Sequence, residues 1–124
     1  MKVKDVYRPW VVAADADERL TTAAARMQDE QVGSLVVTTG GRFAGIVTER
    51  DLLRMVAEGA DPEVATVADY MTTEPAPVGL DADLHQVAAT MFELGCRHLP
   101  VVAAGQVVGM VSIRDLIGSV IRMA

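Results

Sequence analysis

The sequence predicts an α/β fold of the α+β kind, in which two β-α-β-β-α repeats related by a pseudo-twofold axis pack into one module. The first observation is an internal repeat: residues 45–53 (GIVTERDLL) return as residues 109–117 (GMVSIRDLI). The second is a constant interval of 64 residues, the spacing from Asp51 to Asp115, which holds along nearly the whole chain without a gap. The third is size. A chain of 124 residues is too short for two independent cores, so the two copies are expected to share one.

Each copy opens with a short apolar strand and a helix. The predicted strands are residues 10–13 and 75–78, and an aspartate follows each of them, Asp17 or Asp81. Aspartate is a preferred N-cap because its carboxylate accepts backbone N–H groups that have no partner inside the helix. Apolar residues at helical spacing come next: Leu20, Ala23, Ala24 and Met27 in the first copy, and Leu84, Val87, Ala88, Met91 and Leu94 in the second. The pattern predicts one amphipathic helix in each copy, capped by Asp17 or Asp81.

Two β-rich segments and a last helix complete each copy. The β-rich segments are joined by short glycine-containing links, which predict hairpins. A hydroxyl residue and an aspartate three positions later then open the last helix, as Thr48 with Asp51 and as Ser112 with Asp115. This spacing predicts a capping box, in which the side chain of each residue accepts a hydrogen bond from the backbone N–H of the other. The predicted hairpins and last helices are residues 34–38 with 42–48, residues 99–102 with 106–112, residues 51–57 and residues 115–123.

Composition and charge argue against several classes of partner. The net charge of −6 argues against nucleic acid, because phosphate binding over a large area needs a basic surface. The single cysteine, Cys96, cannot form an internal disulfide, which is typical of a reducing cytosol. No apolar run approaches the roughly 20 residues that span a bilayer. We therefore expect a cytoplasmic protein with no membrane segment and no nucleic-acid partner.

The sequence carries no recognised catalytic motif. It contains no P-loop, nucleophile elbow or HExxH pattern, so we expect that the protein is not an enzyme. The triplet Cys96-Arg97-His98 lacks the ligand number and spacing of a zinc site, so we expect no metal and no required cofactor.

The doubled motif resembles the signature of the cystathionine-β-synthase (CBS) domain, and the chain resembles a stand-alone tandem CBS pair, or Bateman module. That signature is a glycine, a hydrophobic strand, a Thr or Ser, two variable residues and an aspartate opening the last helix. It stands here as residues 45–51 (GIVTERD) and 109–115 (GMVSIRD). A polar break with glycine and proline at residues 58–62 separates the copies. We therefore assign residues 1–61 to the first CBS motif and residues 62–124 to the second.

The resemblance implies a ligand-sensing regulatory module for a partner protein that the sequence does not identify. Its ligand would be an adenine nucleotide (AMP, ADP or ATP, and less favourably S-adenosylmethionine) bound in clefts between the copies. The helix-opening aspartate of that family holds the ribose hydroxyls, the neighbouring residues reach ribose or phosphate, and the first strand, largely of the opposite copy, lines the adenine. The residues expected in one cleft are Asp115, Ser112, Arg114, Arg97, His98, Val11, Val12, Ala13 and Ala14. The residues expected in the other cleft are Asp51, Thr48, Arg50, Ser34, Thr72, Pro77 and Val78.

The two predicted clefts are unequal. Arg97 and His98 precede a strand in the second copy, whereas Gly33 and Ser34 stand at the matching positions of the first. Guanidinium groups bind phosphate through charge-assisted, often bidentate hydrogen bonds. We therefore expect the cleft around Asp115 to bind a charged nucleotide more tightly.

The sequence also allows a second function. A capping box explains both hydroxyl–aspartate motifs without any ligand, so the chain is alternatively a ligand-free module that dimerises and scaffolds another protein. The resemblance implies a dimer joined through helices, and the last helices are rich in apolar residues. We expect a homodimer under either function, supported by Leu52, Leu53, Val56, Leu116, Ile117, Val120 and Ile121.

Overall fold

A computed structural model describes residues 1–9 and 12–123, and these residues divide into two compact units. The Asp51 unit is Val12–Pro75, and the Asp115 unit combines residues 1–9 with residues 76–123. The units therefore do not follow the sequence repeats, whose boundary falls between residues 61 and 62. Each unit contains the body of one repeat and the opening residues of the other.

The Asp51 unit is built on one sheet with strand order β1-β2-β3, in which β1 is parallel to β2 and β2 is antiparallel to β3. Its elements are β1 (Ala13–Asp15), α1 (Leu20–Glu30), β2 (Ser34–Thr39), β3 (Arg42–Thr48), α2 (Glu49–Ala57) and α3 (Val67–Tyr70). Buried side chains from α1, β2, β3, α2 and α3 form its core, including Leu20, Met27, Leu35, Val37, Val47, Met55 and Val67.

The Asp115 unit repeats this plan with strand order β4-β5-β6 and the same parallel and antiparallel pairings. Its elements are a 3-10 turn (Val3–Asp5), β4 (Val78–Gly79), α4 (Leu84–Leu94), β5 (His98–Ala103), β6 (Gln106–Ser112) and α5 (Ile113–Met123). Its core includes Val3, Val87, Met91, Leu99, Val101, Val111 and Leu116.

The lead segments, residues 1–9 and their equivalents 65–73, each join a hairpin that belongs to the other sequence repeat. In the Asp115 unit, the backbones of Arg8 and Met110 exchange N–H···O bonds of 2.9 and 3.2 Å. In the Asp51 unit, Thr72 and Ile46 exchange bonds of 2.8 and 3.0 Å. Arg8 and Thr72 are 64 residues apart, as are Ile46 and Met110, so the two bridges are equivalent.

The glycine that opens each repeated motif is required by this close approach. A Cβ atom on Gly45 would overlap the carbonyl of Thr72, and one on Gly109 would overlap the carbonyl of Arg8. Main-chain oxygen atoms held in a hydrogen-bonded bridge have little freedom to move aside. The motif glycines therefore allow the lead segments to bind.

Both predicted hairpins are confirmed, with ladders that run from Ser34 opposite Thr48 and from His98 opposite Ser112. Each is closed by a two-residue turn with positive φ at both positions, the geometry of a type I′ turn. The last helices are also confirmed, and they begin two residues earlier than predicted, at Glu49 and Ile113.

The first strands are shifted from their predicted positions. β1 is Ala13–Asp15 instead of residues 10–13, and of the predicted residues Trp10 and Val11 lie outside the described part of the chain. β4 is Val78–Gly79, so the prediction for residues 75–78 is wrong except at its last position. Proline has no N–H to donate to a ladder, which accounts for the late start of β4 after Pro77.

The prediction that Asp17 caps the first helix is wrong. α1 begins at Leu20, and Arg19 is its N-cap without a side-chain hydrogen bond. The Leu20 N–H donates to the carbonyl of Ala65 at 3.0 Å, so a distant lead segment satisfies the helix N-terminus. The Asp17 N–H donates to the Asp15 carboxylate at 2.9 Å, in a turn before the helix.

Asp81 is not an N-cap either. The N-cap of α4 is Asp83, whose carboxylate accepts the His85 N–H at 2.7 Å. Asp81 lies exposed, with its carboxylate 3.3 Å from the ammonium group of Lys4. Two aspartates precede the apolar pattern here, and the one nearer the helix makes the cap.

Candidate functional site

The repeated hydroxyl–aspartate motif forms the predicted capping box in both units. The Thr48 N–H donates to Oδ2 of Asp51 at 2.8 Å, and the Asp51 N–H donates to Oγ1 of Thr48 at 3.4 Å. The Ser112 N–H donates to Oδ2 of Asp115 at 2.9 Å, and the Asp115 N–H donates to Oγ of Ser112 at 3.2 Å. Each carboxylate therefore uses one oxygen, Oδ2, in the cap.

The second carboxylate oxygen of Asp115 faces Arg8, a residue that belongs to no predicted site. Nε of Arg8 lies 3.4 Å from Oδ1 of Asp115. The Asp115 side chain is 11 % exposed, whereas that of Arg8 is 48 % exposed. Arg8 is placed by its backbone bridge to Met110. The carboxylate is therefore held between the helix cap and a guanidinium group that arrives on the lead segment.

The structure brings the other predicted residues of the second copy to the same end of the Asp115 unit. The Arg97 carbonyl accepts the N–H of Ile113, the first residue of α5, at 2.8 Å. His98 opens β5 opposite Ser112 on β6. Arg114 directly precedes Asp115 on α5, and its side chain is exposed.

Asp51 is paired with an arginine of its own helix, whereas the arginine at Asp115 belongs to a lead segment. Nη2 of Arg54, one helical turn further along α2, lies 3.6 Å from Oδ1 of Asp51 and donates to the Tyr70 carbonyl at 3.0 Å. The same guanidinium lies 4.9 Å from the centre of the Tyr70 ring, in a cation–π arrangement. Gly118 and Val6 stand at the equivalent positions of the other copy, so this arrangement has no counterpart there.

The remaining predicted residues are divided between the units. Ser34 is buried opposite Thr48, Arg50 is exposed on α2, and Thr72 contacts Ile46 through its backbone, all in the Asp51 unit. Among the residues predicted to line the adenine, Val12, Ala13 and Ala14 were assigned to the Asp115 cleft and lie in the Asp51 unit. Pro77 and Val78 were assigned to the Asp51 cleft and lie in the Asp115 unit, whereas Thr72 lies in the same unit as Asp51. Their roles stay predictions, and Val11 lies outside the described residues.

The described residues contain neither a membrane-spanning helix nor a cluster of metal-ligating side chains. Within residues 1–9 and 12–123, no helix has both the length and the apolar character needed to cross a bilayer. In the same part of the chain, no group of three or more His, Cys, Asp and Glu side chains is placed to share a metal ion. Cys96 is a half-buried free thiol.

Comparison with known proteins gives consistent matches. The CBS domain family model matches residues 3–58 and 67–122. The chain is 30% identical over 115 residues to the CBS domain-containing protein YhcV of Bacillus subtilis, covering 92% of this chain and 81% of that protein. It is 34% identical over 84 residues to CBSCBSPB3 of Arabidopsis thaliana, which covers 67% of this chain but only 15% of that longer protein.

A solved structure agrees with these matches. A protein with CBS domains from Burkholderia ambifaria, provisionally assigned to signal transduction, has a TM-score of 0.88 and 32% sequence identity. The alignment covers 92% of this chain and 85% of that one. CBS domains are regulatory more often than catalytic. The two family matches, together with the similarity to YhcV over 81% of its length and to the Burkholderia protein over 85% of its length, show that this chain belongs to the CBS-domain family as a tandem CBS pair.

Proposed function

We propose that this CBS pair is a regulatory module that binds an adenine nucleotide beside Asp115, and that a partner protein responds to the bound state. The observation that carries the proposal is the geometry of Asp115. Its Oδ2 is committed to the helix cap, while Oδ1 lies outside the cap on a side chain that is held in place but not fully buried.

This geometry suits a ribose. A carboxylate oxygen accepts hydrogen bonds from hydroxyl groups, and the cap fixes the orientation of the Asp115 carboxylate before any ligand arrives. Ser112 adds a hydroxyl one helical turn away, and its Oγ has a second lone pair besides the one that accepts the Asp115 N–H. A pre-oriented acceptor reduces the entropy lost on binding.

The same end of the unit suits a phosphate. Arg97 and Arg114 are exposed and flank the first turn of α5, on a chain whose net charge is −6. Charge-assisted hydrogen bonds from guanidinium groups are stronger than those between neutral groups. AMP, ADP and ATP therefore fit the site better than S-adenosylmethionine, which carries no phosphate.

We propose that the Asp51 site binds more weakly. Arg54 is committed to Asp51 and to both the carbonyl and the ring of Tyr70. Gly33 stands where the second copy has Arg97, which removes one cation from the site.

Regulation requires that the nucleotide bind two states of the protein with different affinity. We propose that the helix faces transmit the bound state to a second copy and to the regulated partner. Apolar side chains on α2 and α5 are 54–68 % exposed, at equivalent positions of the two copies: Leu53 and Val56 on α2, Ile117 and Val120 on α5, and Ile121 beside them. An exposed apolar face on each of these helices favours a homodimer.

These exposed helix faces also favour the alternative function, a ligand-free association module. Size-exclusion chromatography with light scattering tests the dimer, and Ile117→Lys with Leu53→Lys should shift it to the monomer. Dimerisation without nucleotide binding would support the alternative.

Calorimetric titration with AMP, ADP and ATP, with thermal unfolding in parallel, tests nucleotide binding. We expect wild-type protein to bind AMP and to gain several degrees of thermal stability, because a ligand that binds only the folded state stabilises it by mass action. Asp115→Asn should lose this effect. The matched variant Asp51→Asn should keep most of it. The proposal fails if wild-type protein shows neither heat nor a thermal shift with any adenine nucleotide.

A further inference from the structure

We infer that Arg8 is a specificity-determining residue of the Asp115 site, which selects ligands that carry a phosphate over the uncharged nucleoside. This inference rests on the proposed function and adds to it a residue of the lead segment. Its starting point is the contact between Nε of Arg8 and Oδ1 of Asp115, at 3.4 Å.

The position of Arg8 is fixed through its backbone and not through its side chain. Two hydrogen bonds of 2.9 and 3.2 Å bind its main chain to Met110 on β6. The side chain is 48 % exposed and reaches Asp115 through Nε, so that contact leaves the two Nη groups to face other partners. An anchored backbone with a half-exposed guanidinium allows the charge to turn toward a ligand without loss of the fold.

The charge balance at the two aspartates differs. Three segments that meet at the start of α5 each carry an arginine. Arg8 contacts Asp115, the Arg97 carbonyl accepts the Ile113 N–H, and Arg114 directly precedes Asp115. The apolar Ile113 opens this helix. Near Asp51 there are two arginines and a second acid: Arg50, Arg54 and Glu49. Thr72 and Gly33 replace Arg8 and Arg97 at the equivalent positions. Cationic charge is therefore in excess only at the Asp115 end, on a chain that is acidic as a whole.

This difference sets the expected selectivity. A nucleoside offers Arg8 no anion, so binding its ribose leaves the Arg8–Asp115 pair to compete with the sugar for Oδ1. A nucleotide offers a phosphate to which a guanidinium donates charge-assisted hydrogen bonds. Arg8 can then exchange part of its contact with Asp115 for the phosphate, which leaves Oδ1 to the ribose.

The test compares AMP with adenosine by calorimetric titration of the full chain in wild-type, Arg8→Gln and Arg8→Lys forms. Arg42→Gln is the matched control, because it removes the same charge from an exposed arginine at the start of β3, in the other unit. We expect Arg8→Gln to weaken AMP binding about tenfold and to change adenosine binding less than about twofold. Arg8→Lys should fall between the two, and Arg42→Gln should match wild type. The preference of wild-type protein for AMP should also decrease as salt is added.

Each other outcome overturns the inference. Equal loss of AMP and adenosine affinity in Arg8→Gln would show that Arg8 only supports the fold. No change for either ligand would show that it does not contact them. If wild-type protein binds adenosine as tightly as AMP, the selectivity is absent while the proposed function stands. If wild-type protein binds neither, the proposed function fails and the inference fails with it.

Discussion

Replacing Gly109 by alanine tests the bridge that places Arg8 beside Asp115. The added Cβ would overlap the Arg8 carbonyl and come within 2.6 Å of Cδ2 of Tyr7. The lead segment would have to move away, with loss of the two backbone hydrogen bonds between Arg8 and Met110. At about 1 kcal/mol for each bond, the free energy of unfolding should fall by ~2 kcal/mol. Urea unfolding measures this loss as a lower midpoint at an unchanged slope.

The chain supplies its own controls for this experiment. Gly45→Ala makes the equivalent overlap, with the Thr72 carbonyl, and should lower the free energy of unfolding by a similar ~2 kcal/mol. Gly79→Ala adds a methyl group with no atom within 4 Å and should be neutral or stabilising by up to about 1 kcal/mol. If Gly109→Ala and Gly45→Ala unfold at the same urea concentration as Gly79→Ala, the close approach of the lead segments is refuted.

Four further substitutions probe three local features, each by urea unfolding. Ser112→Ala removes a cap hydroxyl and should lower the free energy of unfolding by about 1 kcal/mol; an unchanged midpoint would contradict the capping box. Ala104 has φ +50° in the turn between β5 and β6, so Ala104→Gly should raise the free energy of unfolding by about 0.5 kcal/mol or more. Gly40 has a φ of +58° at the matching position, so Gly40→Ala should lower the free energy of unfolding. Changes of the opposite sign would disprove the turn geometry. Arg26→Lys loses the paired contacts with Glu18, at 2.6 and 2.8 Å, and should cost about 1 kcal/mol. The hydrogen bond with Glu18 raises the pKa of Arg26. The stability that Arg26 contributes is therefore complete below its unfolded-state pKa and is lost only as the pH rises through the higher folded-state pKa. If the destabilisation by Arg26→Lys vanished between about pH 7 and about pH 9, this linkage would be contradicted.

Much of the fold follows from patterns that are local in sequence. Glycine-bearing joins between β-rich runs predicted both hairpins, and the Thr48/Asp51 and Ser112/Asp115 spacing predicted both capping boxes. Local rules were less decisive where several residues could serve. Asp81 and Asp83 both suit an N-cap, and only the position of the first helical turn decides between them.

The exchange of lead segments could not be predicted from the same patterns. The bridge between Arg8 and Met110 is made by main-chain atoms, which every residue except proline offers as a pair. Residues 1–9 show no hydrophobic periodicity that would predict their partner. The 64-residue interval aligns Arg8 with Thr72, so the repeat does not predict a role for an arginine that only the first copy has at this position. The one signal in the sequence was Gly109, whose lack of a side chain indicates close approach of another backbone.

The Asp51 and Asp115 sites also differ in neighbouring residues that are not repeated between the copies. The interval places Arg54 opposite Gly118 and Tyr70 opposite Val6, so the cation–π arrangement at Asp51 has no counterpart in the other copy. The two equivalent motifs therefore present their aspartates to different arginines. The predicted preference for the Asp115 site is consistent with this difference.

Backbone amide resonances followed by NMR during an AMP titration test the central claim most directly, because they report where on the chain the nucleotide binds. We expect the largest and saturable shifts at Arg8, Ser112 and Asp115, with smaller shifts at Thr48 and Asp51. Shifts that are absent, or that are confined to residues remote from the start of α5, would contradict nucleotide binding at Asp115.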